Sequence, residues 1–407
     1  MMTKIFFELG SFPALSRSEI AAMLPTFSEG VTLPSNVLPG TLNAALSSGP
    51  EVSEKTAFQV FFADLGGSVR GGKILAQNLN STAVEEQIVK FLAEKYAAFG
   101  KKIAFGIAVP QQEAAEFPPG FFRKLLQNIK TAAKKQNIPL RFINRDFRNI
   151  DAGTYFREKL WREENIEFFL FSENGKLTLA ETFAAQNVEA FAERDYGKPE
   201  RDMQVGMLPP KLALMMVNLA RDAAGKLPAV IWDPFCGTGT ILLEALRLHV
   251  EIFGSDLAPA MVAASRTNLR YFFPDFPVER IIEHDATTRL TGEMKPHVIV
   301  SEGYLGPIQR LNLTKEQFIA LEEQIAPLYE KFFAALRAES REVILACPFW
   351  RGEQGNLFQL QKILEKAARS GYTVRAFSQG TKRGSLEFIR KDQVVGREIF
   401  KFVREKK

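Results

Sequence analysis

Cysteine and histidine are scarce in this chain, at two and three among 407 residues. Cys236 and Cys347 alone cannot build a disulfide framework or a structural zinc site, which points to a reduced, cytoplasmic protein. His249, His284 and His297 are scattered and meet no cluster of ligands, so no metal is expected. Long apolar runs are also missing. None approaches the ~20 residues that span a bilayer, so no membrane partner is expected. The opening MMTKIFFELGSFP lacks an extended apolar core and a small-residue cleavage site, so no secretory leader is expected. There is no internal repeat and no low-complexity tail beyond the closing VREKK.

What is present is an ordinary globular composition, 46% hydrophobic, in a chain long enough for two or three domains. Net charge is a mild +5, but eleven Lys/Arg stand against three acids between Phe121 and Arg162. The basic residues are Arg123, Lys124, Lys130, Lys134, Lys135, Arg141, Arg145, Arg148, Arg157, Lys159 and Arg162; the acids are Asp146, Asp151 and Glu158. Such a stripe is the electrostatic footprint of a polyanion binder, or else a solvated helix face.

The first 165 residues read as mixed α+β. KIFFEL and TAFQVFFADLGG read as strands, and LSRSEI has a capping-box spacing from Ser16 to Glu19. GFFRKLLQNIKTAAKKQ reads as a basic amphipathic helix. NIEFFLFSENGKLTLAETFAA predicts a hairpin turning at Asn174–Gly175 within a connector, and Pro209–Pro210 suits the first turn of a helix. After Leu227 strands and helices alternate, implying a doubly wound parallel sheet.

The stretch AVIWDPFCGTGTILLEALRL carries the chemistry. A phosphate loop needs Lys-Ser/Thr after its last glycine, whereas Thr240-Ile241 follows Gly239. A dinucleotide loop wants a third glycine where Leu242 stands. Asp233, before the glycines, repels a pyrophosphate but accepts bonds from an ammonium group. S-adenosylmethionine offers an ammonium, a carboxylate and a sulfonium, with no phosphate. Gly237 and Gly239 let the backbone approach its methionyl part. Asp256, seventeen residues beyond Gly239 at the next strand's end, suits the ribose hydroxyls. Asp285, in EHDAT, is placed to accept from the adenine amino group.

In VIVSEGYLGP, Glu302 and the Gly303 carbonyl can each accept an N–H of an exocyclic amine while Tyr304 stacks on the base. Holding the nitrogen in line with the sulfonium methyl supplies much of the rate. Cys347, in LACPFW, opens a different reading as a nucleophile toward a pyrimidine ring, although the fourth-strand motif lacks the cysteine that chemistry expects. Cys236 reads as a small packing residue.

The second half resembles a class I S-adenosylmethionine-dependent methyltransferase. The whole chain resembles the THUMP-containing tRNA guanosine-10 N2-methyltransferase family and its bacterial relatives. The likeness rests on LSRSEI, LGGSV, KKIAFGIAV, ETFAAQN, ERDYGKPERD, GMLPPKLALMMVNLA, DPFCGTGTILLEA and DQVVGREI. It implies a ferredoxin-like region over 1–58, a THUMP RNA-binding domain over 59–165, a linker over 166–205 and a Rossmann-like methyltransferase domain over 206–407. It also implies that Asp233, Phe235, Gly237, Gly239, Thr240, Asp256 and Leu257 hold S-adenosylmethionine. Asp285 and Ala286 would meet its adenine, and Pro209 and Lys211 would line the methionyl side. The partner implied is RNA, foremost tRNA, gripped by the basic stripe. Where the family has Asp-Pro-Pro-Tyr this chain has Glu302-Gly303-Tyr304-Leu305, and the lost prolines remove rigidity from the carbonyl. The favoured activity is methylation of an exocyclic amine, N2 of a guanosine. The alternatives are an RNA-binding protein with an inactive methyltransferase domain, or an enzyme acting on rRNA or DNA.

Overall fold

The computed structural model describes residues 3–30, 36–42, 52–110, 112–113, 117, 120–144, 149–201, 207–290, 296, 298–336 and 342–404. Arg145, Asp146, Arg148, His297 and the 205/206 boundary fall outside them. Two compact units result: Met1–Pro13 with Thr26–Ala190, and Ala14–Pro25 with Phe191–Lys407.

The first unit is built on β1 (Thr3–Leu9), β2 (Phe27–Glu29), β3 (Val37–Leu42), β4 (Ser68–Leu79), β5 (Ile103–Ala108), β6 (Leu140–Phe142), β7 (Ile166–Glu173) and β8 (Lys176–Ala185). They form one sheet in the order β2-β3-β1-β4-β8-β7-β5-β6. The stretch read as a linker therefore supplies two strands of this sheet. The hairpin prediction within it holds: Asn174 and Gly175 both take positive φ, 53° and 74°, and β7 pairs β8 antiparallel. Residue 58 is not a boundary between sheets, because it lies inside a helix and β1 to β8 are continuous.

That helix, Glu54–Phe62, is where a strand was expected from AFQVFF. Ser53 caps it by accepting the Thr56 N–H at 3.1 Å, and Phe58 and Phe62, four residues apart, are buried together. Phe58 packs on Phe7 and Phe183 with ring centroids 5.8 Å from each. Aromatic residues satisfy either period, and here the cap and the one-sided burial decide. A similar correction applies to LSRSEI, since the helix around it starts at Pro13 and leaves Ser16 and Glu19 buried in its interior. Glu19 accepts from Asn218 Nδ2 at 2.8 Å within the second unit.

The basic helix, Phe121–Lys135, is as expected. It buries Leu125, Leu126, Ile129 and Ala133 and leaves Arg123, Lys124, Lys130, Lys134 and Lys135 exposed, with no acid on it. Arg141 pairs with Glu158 at 2.9 Å.

The second unit alternates β9 (Val230–Asp233), β10 (Glu251–Asp256), β11 (Ile281–Glu283), β12 (Val298–Glu302) and β13 (Glu342–Arg351) with helices. The helix Pro210–Leu219 starts at the Pro209–Pro210 pair as expected, and the helices Thr240–Arg247, Pro259–Phe272 and Lys315–Ala335 fall where the alternation predicts them. β14 (Leu357–Gln359) precedes the helix Lys362–Arg369. β15 (Thr373–Val374), β16 (Leu386–Phe388) and β17 (Val395–Val403) complete the sheet. Its order is β11-β10-β9-β12-β13-β17-β15. The first five strands are parallel, and β17 enters antiparallel between β13 and β15. The order reverses direction between β9 and β12, so their carboxyl ends flank a crevice.

Candidate active site

The glycine loop leaves β9 at Asp233 and enters the helix Thr240–Arg247. Gly237 takes φ 51° and Gly239 takes φ 84°, both in the left-handed region that side chains resist. Gly239 forms the helix N-cap, and a Cβ there would lie 2.6 Å from Ser265 Oγ. The loop turns tightly, its Gly239 N–H donating to Cys236 O at 2.8 Å, and it lies along a cavity. That cavity, of about 570 Å³, is lined by Asp233, Phe235, Gly237, Thr240, Asp256, Leu257, Glu302, Gly303 and Tyr304 among the expected residues. Its size suits a nucleoside-bearing ligand.

Asp233 is 2% exposed. Ser301 Oγ donates to its Oδ1 at 2.6 Å, and the Phe235 N–H does so at 3.2 Å. Burial pushes its carboxyl up to about 8 against that bonding, and the charges of Asp256 and Glu302 add to the rise. Asp256 accepts the Gly237 N–H at 2.9 Å on one oxygen and the Ala258 N–H at 3.0 Å on the other. The acid at the second strand end thus clamps the glycine loop of the first. The lining holds three carboxyl groups and no Lys or Arg, which suits a ligand carrying a cation and hydroxyls.

Glu302 ends β12 next to β9 and accepts from Arg397 Nε at 2.7 Å. Arg397, on β17, is 4% exposed, so it holds the carboxylate from behind. The loss of proline after Glu302 also has a structural reason. The Gly303 N–H, which proline would lack, donates to Ala346 O at 2.9 Å and continues the β12–β13 pairing. A Cβ on Gly303 would sit 2.5 Å from Tyr329 Oη. That hydroxyl donates to the Tyr304 carbonyl at 3.0 Å. The loop is therefore fixed by Tyr329 and the sheet, correcting the expectation that it lacks rigidity. Tyr304 is 43% exposed at the cavity, free to face an incoming ring.

Five expected residues are not on the wall. Gly239 caps the helix behind it, and Pro209 caps the helix Pro210–Leu219 beside the wall residue Leu208. Lys211 Nζ lies 5.4 Å from the Phe191 ring centroid. Asp285 Oδ1 accepts the Thr287 N–H at 2.8 Å and its hydroxyl at 2.7 Å, which holds the carboxyl below its usual range. Ala286 is buried in the hydrophobic core. Leu208, in the GMLPPKLALMMVNLA stretch that resembles the methionyl side of the family, is on the wall; sequence reasoning missed Met207, Thr238, Ile241, Ala258, Met261 and Leu328 there, and it gave Cys236 only a packing role. Cys347 is fully buried in the core, and burial drives its thiol far up, so it is no nucleophile. Among the described residues no group of His, Cys, Asp or Glu is arranged to hold a metal, and no helix is long and apolar enough to cross a membrane.

Five parallel strands, an antiparallel hairpin strand inserted before the last, and a glycine loop after the first strand in the series define a Rossmann-like class I methyltransferase fold. Residues 199–303 match the domain described as UPF0020, RMKL-like, methyltransferase domain. A tRNA (guanine(10)-N2)-dimethyltransferase of Methanothermobacter thermautotrophicus is 46% identical over 76 residues, which is 18% of this chain and 22% of that one. The chain thus spans about a fifth of that relative's length. Over this stretch the resemblance to tRNA guanosine-10 N2-methyltransferases is borne out. TrmN from Thermus thermophilus superposes with a TM-score of 0.52 at 14% identity, covering all of both chains. SMU.472 complexed with SAH superposes at 0.51 and 11%, covering 100% of this chain and 99% of that one.

Proposed function

We propose that this chain is an S-adenosylmethionine-dependent RNA methyltransferase acting on an exocyclic amine, foremost N2 of a guanosine in tRNA. The observation that carries the reading is that Asp233, Asp256 and Glu302, from the ends of three neighbouring strands, share one cation-free cavity wall. The residues fit the cofactor. Asp233, buried and short of positive charge, takes its ammonium; Asp256 keeps lone pairs for the ribose hydroxyls; Leu257 and Met261 supply apolar cover for the adenine. Asp285 and Ala286 just past β11 are assigned to the adenine edge, and Gly239, Pro209 and Lys211 to support of the methionyl side. When bound, the cofactor supplies an electrophilic methyl group.

The chain's own residues do the positioning. Glu302, held by Arg397, accepts one N–H of the amine, the Gly303 carbonyl accepts the other, and Tyr304 stacks on the base. Glu302 would then receive the surplus proton of the methylated nitrogen along that same hydrogen bond. The exposed basic helix Phe121–Lys135 supports RNA as the substrate, and we assign the first unit the ferredoxin-like and THUMP roles. The relatives named as guanine-N2 methyltransferases support that target atom. A cytoplasmic location goes with this reading.

Incubation with methyl-labelled S-adenosylmethionine and total tRNA tests it. Label in RNA, lost with Glu302→Ala, is expected. Cofactor binding with no transfer to tRNA, rRNA or DNA would instead favour a binding protein.

A further inference from the structure

Lys198 is a buried amine that the chemistry above leaves unused. It is 3% exposed, and its Nζ donates to Thr238 Oγ1 at 3.2 Å and Thr240 Oγ1 at 3.0 Å. Both threonines line the cavity, Thr238 between the two glycines and Thr240 at the first turn of the eight-residue helix Thr240–Arg247. Asn268 ties the chain beside Lys198 to the same loop. Its Nδ2 donates to the carbonyls of Glu200 and Thr238, and its Oδ1 accepts the Glu200 N–H, each at 2.9 Å.

A hydroxyl has one proton, and an ammonium only donates. Each threonine oxygen that accepts from Lys198 must therefore aim its own proton elsewhere. For side chains on the cavity wall this leaves two O–H donors backed by a positive charge at the amide end of a helix. Burial pulls the amine down to about 8, with Arg201 adding to the fall and Asp195 and Glu244 opposing it. An anion at the two hydroxyls would restore the charged form. Asp233, on the same wall, offers the opposite sign. The wall as a whole thus matches a zwitterion, with a carboxylate for a cation and a hydroxyl pair for an anion.

We propose that Lys198 is a positioning residue that turns Thr238 and Thr240 to receive the α-carboxylate of the cofactor's amino-acid end. The inference rests on the cofactor reading given above and adds to it a polar subsite built from outside the methyltransferase loop. It also gives a role to the Gly197-Lys198-Pro199 stretch, which lies at the edge of the matched segment.

Calorimetric titration with two probes tests it. S-adenosylhomocysteine carries the amino-acid end, and 5′-methylthioadenosine is the same thioether nucleoside without it. Lys198→Met is expected to weaken S-adenosylhomocysteine about 10- to 100-fold, the range for losing bonds to a charged group. It should leave 5′-methylthioadenosine within about twofold by the same argument. The double variant Thr238→Val, Thr240→Val keeps the lysine and the side-chain volumes, so it reads the same subsite if Lys198→Met does not fold. Unchanged S-adenosylhomocysteine affinity in these variants, or equal weakening of both probes, would overturn the proposal while leaving the cofactor reading intact. Failure of the wild-type chain to bind either probe would remove the cofactor reading itself, and this inference with it.

Discussion

Two loops leave neighbouring strands of one sheet, and they are built differently. The glycine loop after β9 is closed in on itself: Asp233 and Cys236 are buried, Asp256 holds the Gly237 N–H, and Lys198 holds the threonines. The loop after β12 opens outward, with Tyr304, Ile308 and Leu311 exposed at 43%, 54% and 80%. Its root is nonetheless pinned by Arg397, Tyr329 and Ala346. Under the proposed function, the buried loop serves a constant ligand, while the open one keeps apolar surface in reach of solvent for a macromolecule. The difference teaches where to look for each property: cofactor class in the first loop, target identity in the second.

The largest expected effect separates the loops most sharply. Glu302→Ala should lower methyl transfer by about 10³-fold through lost positioning of the amine. S-adenosylhomocysteine affinity, measured by calorimetry, should stay within about threefold, since no bond to that ligand depends on Glu302. A comparable loss of both would merge the two loops into one functional unit. Next in size, Asp233→Asn should weaken S-adenosylhomocysteine about 10- to 100-fold, because the wild-type carboxyl gives up its proton when the ligand's ammonium settles beside it and an amide cannot.

The same variant has a pH signature. A carboxyl raised from 3.8 to about 8 keeps its proton in the folded chain while the unfolded chain releases it. Its contribution to stability is therefore greatest below pH 3.8 and declines as pH rises toward about 8. Thermal melts of the cofactor-free protein should fall with pH across that window, and Asp233→Asn should flatten the fall. An identical slope in the variant would place the proton elsewhere.

Smaller effects belong to the open loop and the basic helix. Tyr304→Ala should cost about tenfold in kcat/KM for RNA through lost stacking, with Tyr304→Phe close to wild type. Filter binding should show Lys134→Ala with Lys135→Ala weakening RNA several-fold and making the log–log salt dependence shallower by about one per phosphate contact removed. S-adenosylhomocysteine binding unchanged in this double variant would keep the cofactor and RNA functions apart, and a loss would join them.

Much of the cofactor wall was legible because it is local. Asp233, Gly237 and Thr240 lie within one contiguous strand, turn and helix, and Asp256 follows at the next strand end. The supporting residues were not, because they arrive from far along the chain. Arg397 reaches Glu302 across 95 positions, and Lys198 reaches Thr240 across 42. ERDYGKPERD and DQVVGREI carry part of the family resemblance, but nothing local in either gives Lys198 or Arg397 a physical role. Gly303 was read as added freedom because Tyr329, 26 residues later, is invisible to a local reading. Phe58 and Phe62 misled for a related reason. Aromatic runs suit strands and helices alike, and only the Ser53 cap and the side they bury tell the two apart.

The most direct test of the central claim is to identify the methylated nucleoside. RNA from cells lacking the protein is treated with the purified chain and S-adenosylmethionine, digested, and resolved by mass spectrometry. N2-methylated guanosine, absent from the Glu302→Ala reaction, is the predicted result. A methyl group on a pyrimidine ring carbon, or on no nucleoside at all, would contradict it.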